Sequence, residues 1–272
     1  MSKSIQLCLV LFFAVAFAGA HAQSQPAKQE YAPRVGQAGK DVVWVPTPES
    51  LVDKMLDIAK VTPTDFLIDL GSGDGRTVIT AAKRGTRAHG IEYNPEMVEL
   101  SIRNAAAAGV SDKATFAKAD LFESDFSKAT VITMFLLPQI NLKLRPKILD
   151  LKPGTRIVSN SFTMGEWEAD ESASTNGDCS GWCTALFWIV PAKVDGTWKL
   201  ADGEIALKQN YQTLTGMLRT GSRTVAITSG RLRGEEIYLR TDDNEYRGRV
   251  TGDTMLVTSK TGSEWKGTRA SR

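Results

Sequence analysis

The sequence predicts a doubly wound, mostly parallel α/β sheet followed by a smaller all-β domain. Two observations support this fold class. Short apolar runs alternate with amphipathic helical segments between residues 48 and 190, as in a parallel sheet with helices on both faces. Beyond Pro191 the helical periods end, and short strand-like segments recur with a glycine in nearly every one, which is typical of an antiparallel meander or small barrel.

The first 22 residues have the layout of a secretory signal peptide. Lys3 precedes an apolar run over residues 7–18, and Ala20-His21-Ala22 offers small residues at a cleavage site. The run is too short to span a bilayer. We therefore expect an exported protein, periplasmic or secreted, that begins near Gln23 and has no stable membrane insertion after cleavage. An uncleaved membrane tether is the alternative, and residues 23–40 are expected to form a polar linker.

The elements of the α/β part follow one another at regular spacing. An amphipathic helix begins after Pro48, and Pro146 is expected to kink or interrupt a later helix. A domain boundary near residue 192 separates the α/β domain (41–192) from the β domain (193–272). The other predicted elements are strand 66–70, helix 76–84, strand 88–92, helix 95–108, strand 114–119, strand 130–136, helix 139–149, strand 155–159 and strand 186–190.

The charge balance disfavours a nucleic-acid partner. The 33 basic and 31 acidic residues leave a net charge of +2, whereas a nucleic-acid binder needs a concentrated basic face. Basic residues gather in the last fifty positions, but acids such as Glu235 and Asp242 alternate with them, as on a solvated sheet surface. The oligomeric state stays open.

Cys179 and Cys183 remain once the signal peptide is removed. In an exported chain, two such neighbours either close a small disulfide loop or stay as free thiols. A zinc site would need further ligands, and the chain has only His21 and His89 as histidines. We expect no metal.

A glycine-rich turn, Asp69-Leu70-Gly71-Ser72-Gly73-Asp74-Gly75-Arg76, connects the first strand to the next helix. Glycines let a backbone turn sharply and approach a ligand closely. Dinucleotide sites place a pyrophosphate at such a helix N-terminus, and carboxylates beside it would weaken binding. Asp69 and Asp74 instead suit a ligand with a cationic amino-acid end, such as S-adenosylmethionine.

Residues 69–76 resemble the first motif of class I methyltransferases, which have a Rossmann-like fold, and Glu92 resembles their second. The resemblance implies that S-adenosylmethionine binds here. It also implies that Glu92 accepts hydrogen bonds from both ribose hydroxyls and that Asp120, in Ala119-Asp120-Leu121-Phe122, accepts one from the adenine amino group. The implied cofactor-binding residues are Asp69, Gly71, Ser72, Gly73, Asp74, Gly75, Glu92 and Asp120.

A narrower resemblance covers residues 42–168. The segment Val45-Pro46-Thr47-Pro48, followed by Val52 and Met55, is similar to one that folds over the methionine end of the cofactor in a small lysine methyltransferase group. That group includes mitochondrial enzymes acting on inner-membrane proteins. The resemblance adds Val45 and Thr47 to the cofactor-binding set. It implies a methyl acceptor that is a protein lysine, with a small molecule as the alternative. The β domain resembles the small lipocalin-like modules of some exported bacterial proteins.

The stretch after the fourth strand departs from a related pattern. Amino-group methyltransferases that act on nucleobases or glutamine carry Asn/Asp-Pro-Pro-aromatic there, whereas this chain has Phe135-Leu136-Leu137-Pro138. Without an amide or acid to hold a planar nitrogen, those substrates are disfavoured. A neutral lysine amine mainly needs alignment with the sulfonium. Glu166 and Asp170, after the fifth strand, are candidates for attracting or deprotonating that lysine.

Two functions of other classes stay open from the sequence. An exported module could bind the cofactor without turnover, because the cofactor is made in the cytoplasm. A nicotinamide-dependent enzyme could use Glu92 on the ribose, although the acid-flanked loop argues against it.

Overall fold

The computed structural model describes residues 31–271, so the predicted signal peptide over residues 1–22 lies outside the described part of the chain. Within residues 31–271 the chain forms a seven-stranded sheet and a closed eight-stranded barrel. These confirm the predicted fold class. No helix in this range is long and apolar enough to cross a membrane.

The sheet has the strand order β3-β2-β1-β4-β5-β7-β6. Strands β1 to β5 pair in parallel, whereas β7 runs antiparallel to β5 and β6. The elements of this part are α1 (Glu49–Ile58), β1 (Phe66–Leu70), α2 (Arg76–Lys83), β2 (Arg87–Glu92), α3 (Pro95–Ala107), β3 (Ala114–Lys118), β4 (Val131–Met134), α4 (Pro138–Leu149), β5 (Arg156–Asn160), β6 (Glu171–Ser174) and β7 (Thr184–Ile189).

Strand β1 lies at the centre of the sheet and is buried on both faces. Leu67 packs into the core beneath α1 and α2, whereas Ile68 and Leu70 pack into the core beneath α4, because successive side chains point to opposite faces. β1 has β2 on one side and β4 on the other, so the order of the strands reverses there. In open α/β sheets the carboxyl ends of the strands at this point form the ligand crevice.

Helix α4 continues through Pro146 without interruption, so of the two expected effects of this proline the interruption was wrong and the kink stays a prediction. Proline removes the hydrogen bond to the carbonyl four residues earlier, which belongs to Leu142. The Leu142 side chain is 41% exposed, so the lost bond falls on the solvent-facing side of the helix. Water can satisfy a carbonyl there.

The barrel is an up-and-down meander that closes by antiparallel pairing of its first and last strands, with Thr268 opposite Lys199. Buried apolar side chains such as those of Trp198, Leu232 and Met255 pack together in its interior. Its strands are β8 (Gly196–Leu200), β9 (Gly203–Asn210), β10 (Thr213–Thr220), β11 (Arg223–Arg233), β12 (Glu236–Arg240), β13 (Glu245–Thr251), β14 (Thr254–Ser259) and β15 (Glu264–Ser271).

Polar contacts fasten the barrel to the sheet. The Gln212 side chain donates a hydrogen bond to the Glu168 carbonyl at 2.8 Å, and the backbone N–H of Ala192 donates to the Gly234 carbonyl at 2.8 Å. Gly234 lies in the turn between β11 and β12 and packs against Gly154. The domain boundary near residue 192 falls between β7 and β8, and it stays a prediction.

Two matched glycines test this contact. Gly234 and Gly252 each begin a two-residue hairpin turn of the barrel, with φ of +64° and +57°. A Cβ at Gly234 would lie 3.0 Å from the Cα of Gly154, whereas one at Gly252 meets no atom within 4 Å. We expect Gly252→Ala to cost about 1–2 kcal/mol of unfolding free energy, from the left-handed backbone alone. Gly234→Ala should cost more in urea unfolding. Equal costs would contradict close packing between barrel and sheet.

Candidate active site

A cavity of about 200 Å³ opens at the carboxyl ends of the central strands. Its walls come from residues 37–47, from the loop after β1, from the ends of β2, β3 and β4, and from two aromatic residues of later loops. Nine of the ten residues predicted to bind the cofactor line it: Val45, Thr47, Asp69, Gly71, Ser72, Gly73, Asp74, Glu92 and Asp120.

The tenth, Gly75, supports the loop from behind. A Cβ at Gly75 would lie 2.8 Å from the Phe116 ring and 2.9 Å from the Ser101 Cβ, and its φ is +84°. A Cβ at Gly73 would lie 2.7 Å from the indole nitrogen of Trp44, which covers the loop from the other side. Both positions therefore need glycine for conformation and for space.

Helix α3 and Glu92 hold the glycine-rich loop in place. The Ser101 hydroxyl donates to the Gly73 carbonyl at 2.8 Å, and the Asn104 amide donates to the Asp74 carbonyl at 2.9 Å. One Glu92 oxygen accepts from the Gly73 N–H at 3.0 Å and the other from the Asn94 N–H at 2.9 Å. A carboxylate offers about four lone-pair sites, so a fixed Glu92 retains capacity for two hydroxyl donors.

Asp69 is the buried acid of the site. Its side chain accepts a 2.6 Å hydrogen bond from the Thr133 hydroxyl on the adjacent strand β4. Burial, together with the neighbouring Glu92 and Asp74 carboxylates, raises the pKa of Asp69 to about 7 against the opposing effect of the Thr133 hydrogen bond. No ion pair within residues 31–271 involves Asp69. A cationic ligand group would therefore find an acid that lacks a counter-charge.

Asp74 has a different environment from Asp69. The Arg76 guanidinium contacts it with Nη2 to Oδ2 at 2.6 Å, and Arg76 Nη1 donates to the Thr47 carbonyl at 2.9 Å. Arg76 thus neutralises Asp74 and fastens the predicted methionine-end segment to the loop. The sequence argument assigned both Asp69 and Asp74 to the cationic ligand. In the structure Arg76 pairs with Asp74, so of these two acids Asp69 is the one that lacks a counter-charge within residues 31–271.

Asp120 lines the cavity just after strand β3, two strands away from β1. One of its oxygens accepts from the Phe122 N–H at 2.9 Å, and the other pairs with the Lys40 ammonium. The Lys40 nitrogen also lies 4.7 Å from the centroid of the Tyr93 ring. Lys40 stands in the stretch expected to be linker, and the sequence gave no signal for its position.

One wall of the cavity is aromatic. Phe135, where related enzymes carry an amide or acid, stacks on Phe162 with ring centroids 5.9 Å apart, and Trp182 lies 6.1 Å from the Phe135 ring. A disulfide joins Cys179 to Cys183 and encloses Trp182, so of the two alternatives left open by the sequence the structure has the disulfide. Phe162 and Trp182 are too far from Phe135 in the sequence to be recognised as its neighbours.

The two acids expected near the acceptor do not line the cavity. Glu166 is exposed. The Asp170 side chain is 1% exposed and contacts Arg231 of the barrel at 2.6 Å, and its other oxygen accepts from the Ile189 N–H at 2.9 Å. Asp170 therefore links sheet to barrel in this structure.

The chain is similar to known methyltransferases. A family model described as the ANTKMT methyltransferase domain matches residues 69–171. A protein-lysine N-methyltransferase of Saccharolobus islandicus (strain REY15A) is 47% identical over 133 residues, which are 48% of this chain and 83% of that protein. The adenine nucleotide translocase lysine N-methyltransferase of Mus musculus is 34% identical over 119 residues, 43% of this chain. The chain spans 52% of that relative's length.

One similar solved structure contains the product that the cofactor leaves after methyl transfer. It is described as an RNA methyltransferase from Salinibacter ruber in complex with S-adenosyl-L-homocysteine, is 47% identical and aligns with a TM-score of 0.52. The alignment covers 55% of this chain and 96% of that one. With the loop and acids described above, it identifies S-adenosylmethionine as the cofactor and sets aside the nicotinamide alternative. The chain belongs to the ANTKMT family of S-adenosylmethionine-dependent methyltransferases.

Proposed function

We propose that the chain transfers a methyl group from S-adenosylmethionine to the side-chain amine of a lysine in a protein. The observation that carries this proposal is the division of the cavity into a polar end with Asp69 and Glu92 and an aromatic wall around Phe135. The names of the Saccharolobus and mouse relatives, both lysine N-methyltransferases, support it.

In this proposal the acids orient the cofactor. The Asp69 carboxylate pairs with the methionine ammonium, Glu92 accepts from the ribose hydroxyls, and Asp120 with Lys40 contacts the adenine. The bound cofactor supplies the electrophilic methyl group. The lysine ammonium would first lose a proton to solvent. The new bond would then join the methyl carbon to the neutral lysine nitrogen as the carbon–sulfur bond breaks and S-adenosylhomocysteine leaves.

The aromatic wall suits a lysine better than a planar nitrogen. An amide or nucleobase nitrogen needs an acceptor to hold and polarise it, and the 135–138 stretch provides none from its side chains. A neutral amine is already nucleophilic, so the protein has mainly to exclude water and align the amine with the methyl group. RNA is the competing acceptor, because one related structure is described as an RNA methyltransferase.

We further propose that the chain is exported, as its first 22 residues predict. The Cys179–Cys183 disulfide supports this, because disulfides persist in oxidising compartments. Expression of the full chain in a bacterium, followed by fractionation and N-terminal sequencing, should give a periplasmic protein that begins near Gln23. An intact N-terminus in the cytoplasm would contradict export and leave methyl transfer untouched.

The cofactor assignment predicts the behaviour of three acid-to-amide variants. Asp69→Asn and Glu92→Gln each remove a charge-assisted hydrogen bond, which is equivalent to a loss of about tenfold to a hundredfold in affinity. Glu99→Gln removes an exposed acid of α3 and should leave affinity unchanged. Calorimetric titration with S-adenosylhomocysteine measures all three. Wild-type affinity in Asp69→Asn would contradict the assignment of Asp69 to the ammonium.

The pKa of Asp69 predicts how this affinity depends on pH. The free carboxyl is protonated below about pH 7 and must lose its proton to pair with an ammonium. Affinity should therefore be full above pH 7 and fall as the pH is lowered, approaching about tenfold per pH unit. The Asp69→Asn variant should show a flat profile between pH 5 and 7. A profile in the variant as steep as in the wild type would assign the titration to another group.

The acceptor class can be identified chemically. The mature protein is incubated with methyl-labelled cofactor and, in separate reactions, with envelope proteins and with total RNA. We expect label in protein, recovered as methyl-lysine after acid hydrolysis, and about tenfold to a hundredfold less label with the Glu92→Gln variant at low cofactor concentration. Label recovered in methylated nucleotides would contradict the lysine proposal and favour RNA.

A further inference from the structure

Trp182 is the most exposed tryptophan of the described chain. Trp167, Trp188 and Trp198 are fully buried, whereas Trp182 is 51% exposed and still lines the cavity. Its only ring neighbour in the described chain is Phe135, with the planes tilted by 58°. An indole held half in water at a cavity mouth contributes little to the core and leaves one face for a ligand.

The backbone at Trp182 is held in an unfavourable conformation. Its φ is +56°, in the left-handed region that side chains other than glycine seldom adopt. Such residues persist where the surrounding structure fixes them, and they concentrate at binding sites. Here the Cys179–Cys183 disulfide closes the chain around Trp182, and the Thr175 N–H donates to the Cys183 carbonyl at 3.0 Å.

The same loop is anchored to the start of helix α1. That helix begins after Pro48 without a side-chain cap of its own. Asp178 supplies the cap from a distance in sequence, accepting from the N–H of Glu49 at 3.1 Å and of Ser50 at 3.3 Å. Hydrogen bonding to the Ser50 side chain, and then to these N–H groups, lowers the pKa of Asp178. The disulfide loop is thus tied to the chain directly after the segment that Arg76 fastens to the cofactor loop.

Resting on the proposed transfer to lysine, we propose that the loop over residues 175–183 is the acceptor-specificity element of the enzyme, in which Trp182, with Phe135 and Phe162, receives the alkylammonium side chain. The disulfide and Asp178 act on the acceptor by positioning Trp182. This assigns an acceptor-binding role to a part of the chain that lies beyond the family-matched residues 69–171.

The chemistry of the aromatic wall fits this ligand. Aromatic faces attract lysine and methylated ammonium groups through the ring quadrupole, and they also pack against the four-carbon stem. The attraction survives methylation because the ammonium keeps its charge, so the aromatic wall can bind a lysine that already carries methyl groups. A neutral small acceptor would gain only the packing.

The test uses poly-L-lysine as the acceptor probe and labelled cofactor, with label recovered as methyl-lysine. Trp182→Ala should raise the KM for poly-L-lysine between about threefold and thirtyfold, the range of a desolvated cation–π contact. The affinity for S-adenosylhomocysteine should stay at the wild-type value. Trp182→Phe should recover part of the loss, and Tyr238→Ala, which removes an exposed ring of the barrel, should have no effect.

The disulfide is tested by non-additivity. Replacing both Cys179 and Cys183 by serine should raise the KM in the same direction as Trp182→Ala. Adding Trp182→Ala to that variant should then change little, because both changes act on one contact. Dithiothreitol should raise the KM of the wild type and leave that of the double-serine variant unchanged.

The outcomes separate the two proposals. An unchanged KM in Trp182→Ala, with methyl-lysine still formed, overturns the specificity role and leaves lysine transfer standing. Loss of S-adenosylhomocysteine binding in Trp182→Ala also overturns it, since the loop would then serve the cofactor. A wild-type protein that binds S-adenosylhomocysteine but yields no methyl-lysine from poly-L-lysine overturns lysine transfer itself, and the specificity role with it.

Discussion

Burying the Asp69 carboxyl at the end of the central strand, beside Glu92 and Asp74, costs free energy, and within residues 31–271 only the Thr133 hydrogen bond offsets it. The fold keeps this acid where desolvation raises its pKa to about 7. Its position follows from the topology of the sheet. The strand order reverses at β1, and the carboxyl ends of the strands at such a point border an open crevice. A ligand ammonium would supply the missing counter-charge, so binding and ionisation of Asp69 are coupled.

The other contacts at the cofactor end leave Asp69 without a counter-charge. Arg76 neutralises Asp74 and fastens the 45–47 segment over the loop. Glu92 is fixed by two backbone donors and cannot turn toward a different partner without giving them up. The acceptor end is built differently, from aromatic side chains on loops, and its only covalent constraint in the described chain is the disulfide. The cofactor end is therefore expected to recognise its ligand by charge, and the acceptor end by shape and by its aromatic ring faces.

The sequence predicted most of the sheet and the cofactor end because both depend on local patterns. Asp69 and Glu92 lie at the ends of β1 and β2, Asp120 follows β3, and parallel strands bring their carboxyl ends to one edge. Lys40 and Trp182 were missed because their positions depend on tertiary contacts, with Asp120 and with Phe135 respectively. Strand β6 was missed for another reason, since its mostly exposed residues carry no apolar alternation.

The central claim is that cofactor binding ionises a protonated Asp69. Infrared difference spectroscopy at pH 6 measures this directly, because a protonated carboxyl and a carboxylate absorb at different frequencies. On addition of S-adenosylhomocysteine the wild type should lose a protonated-carboxyl band and gain a carboxylate band, and the Asp69→Asn variant, at saturating ligand, should show neither change. An unchanged carboxyl band in the wild type, or the same band loss in the variant, would contradict the account.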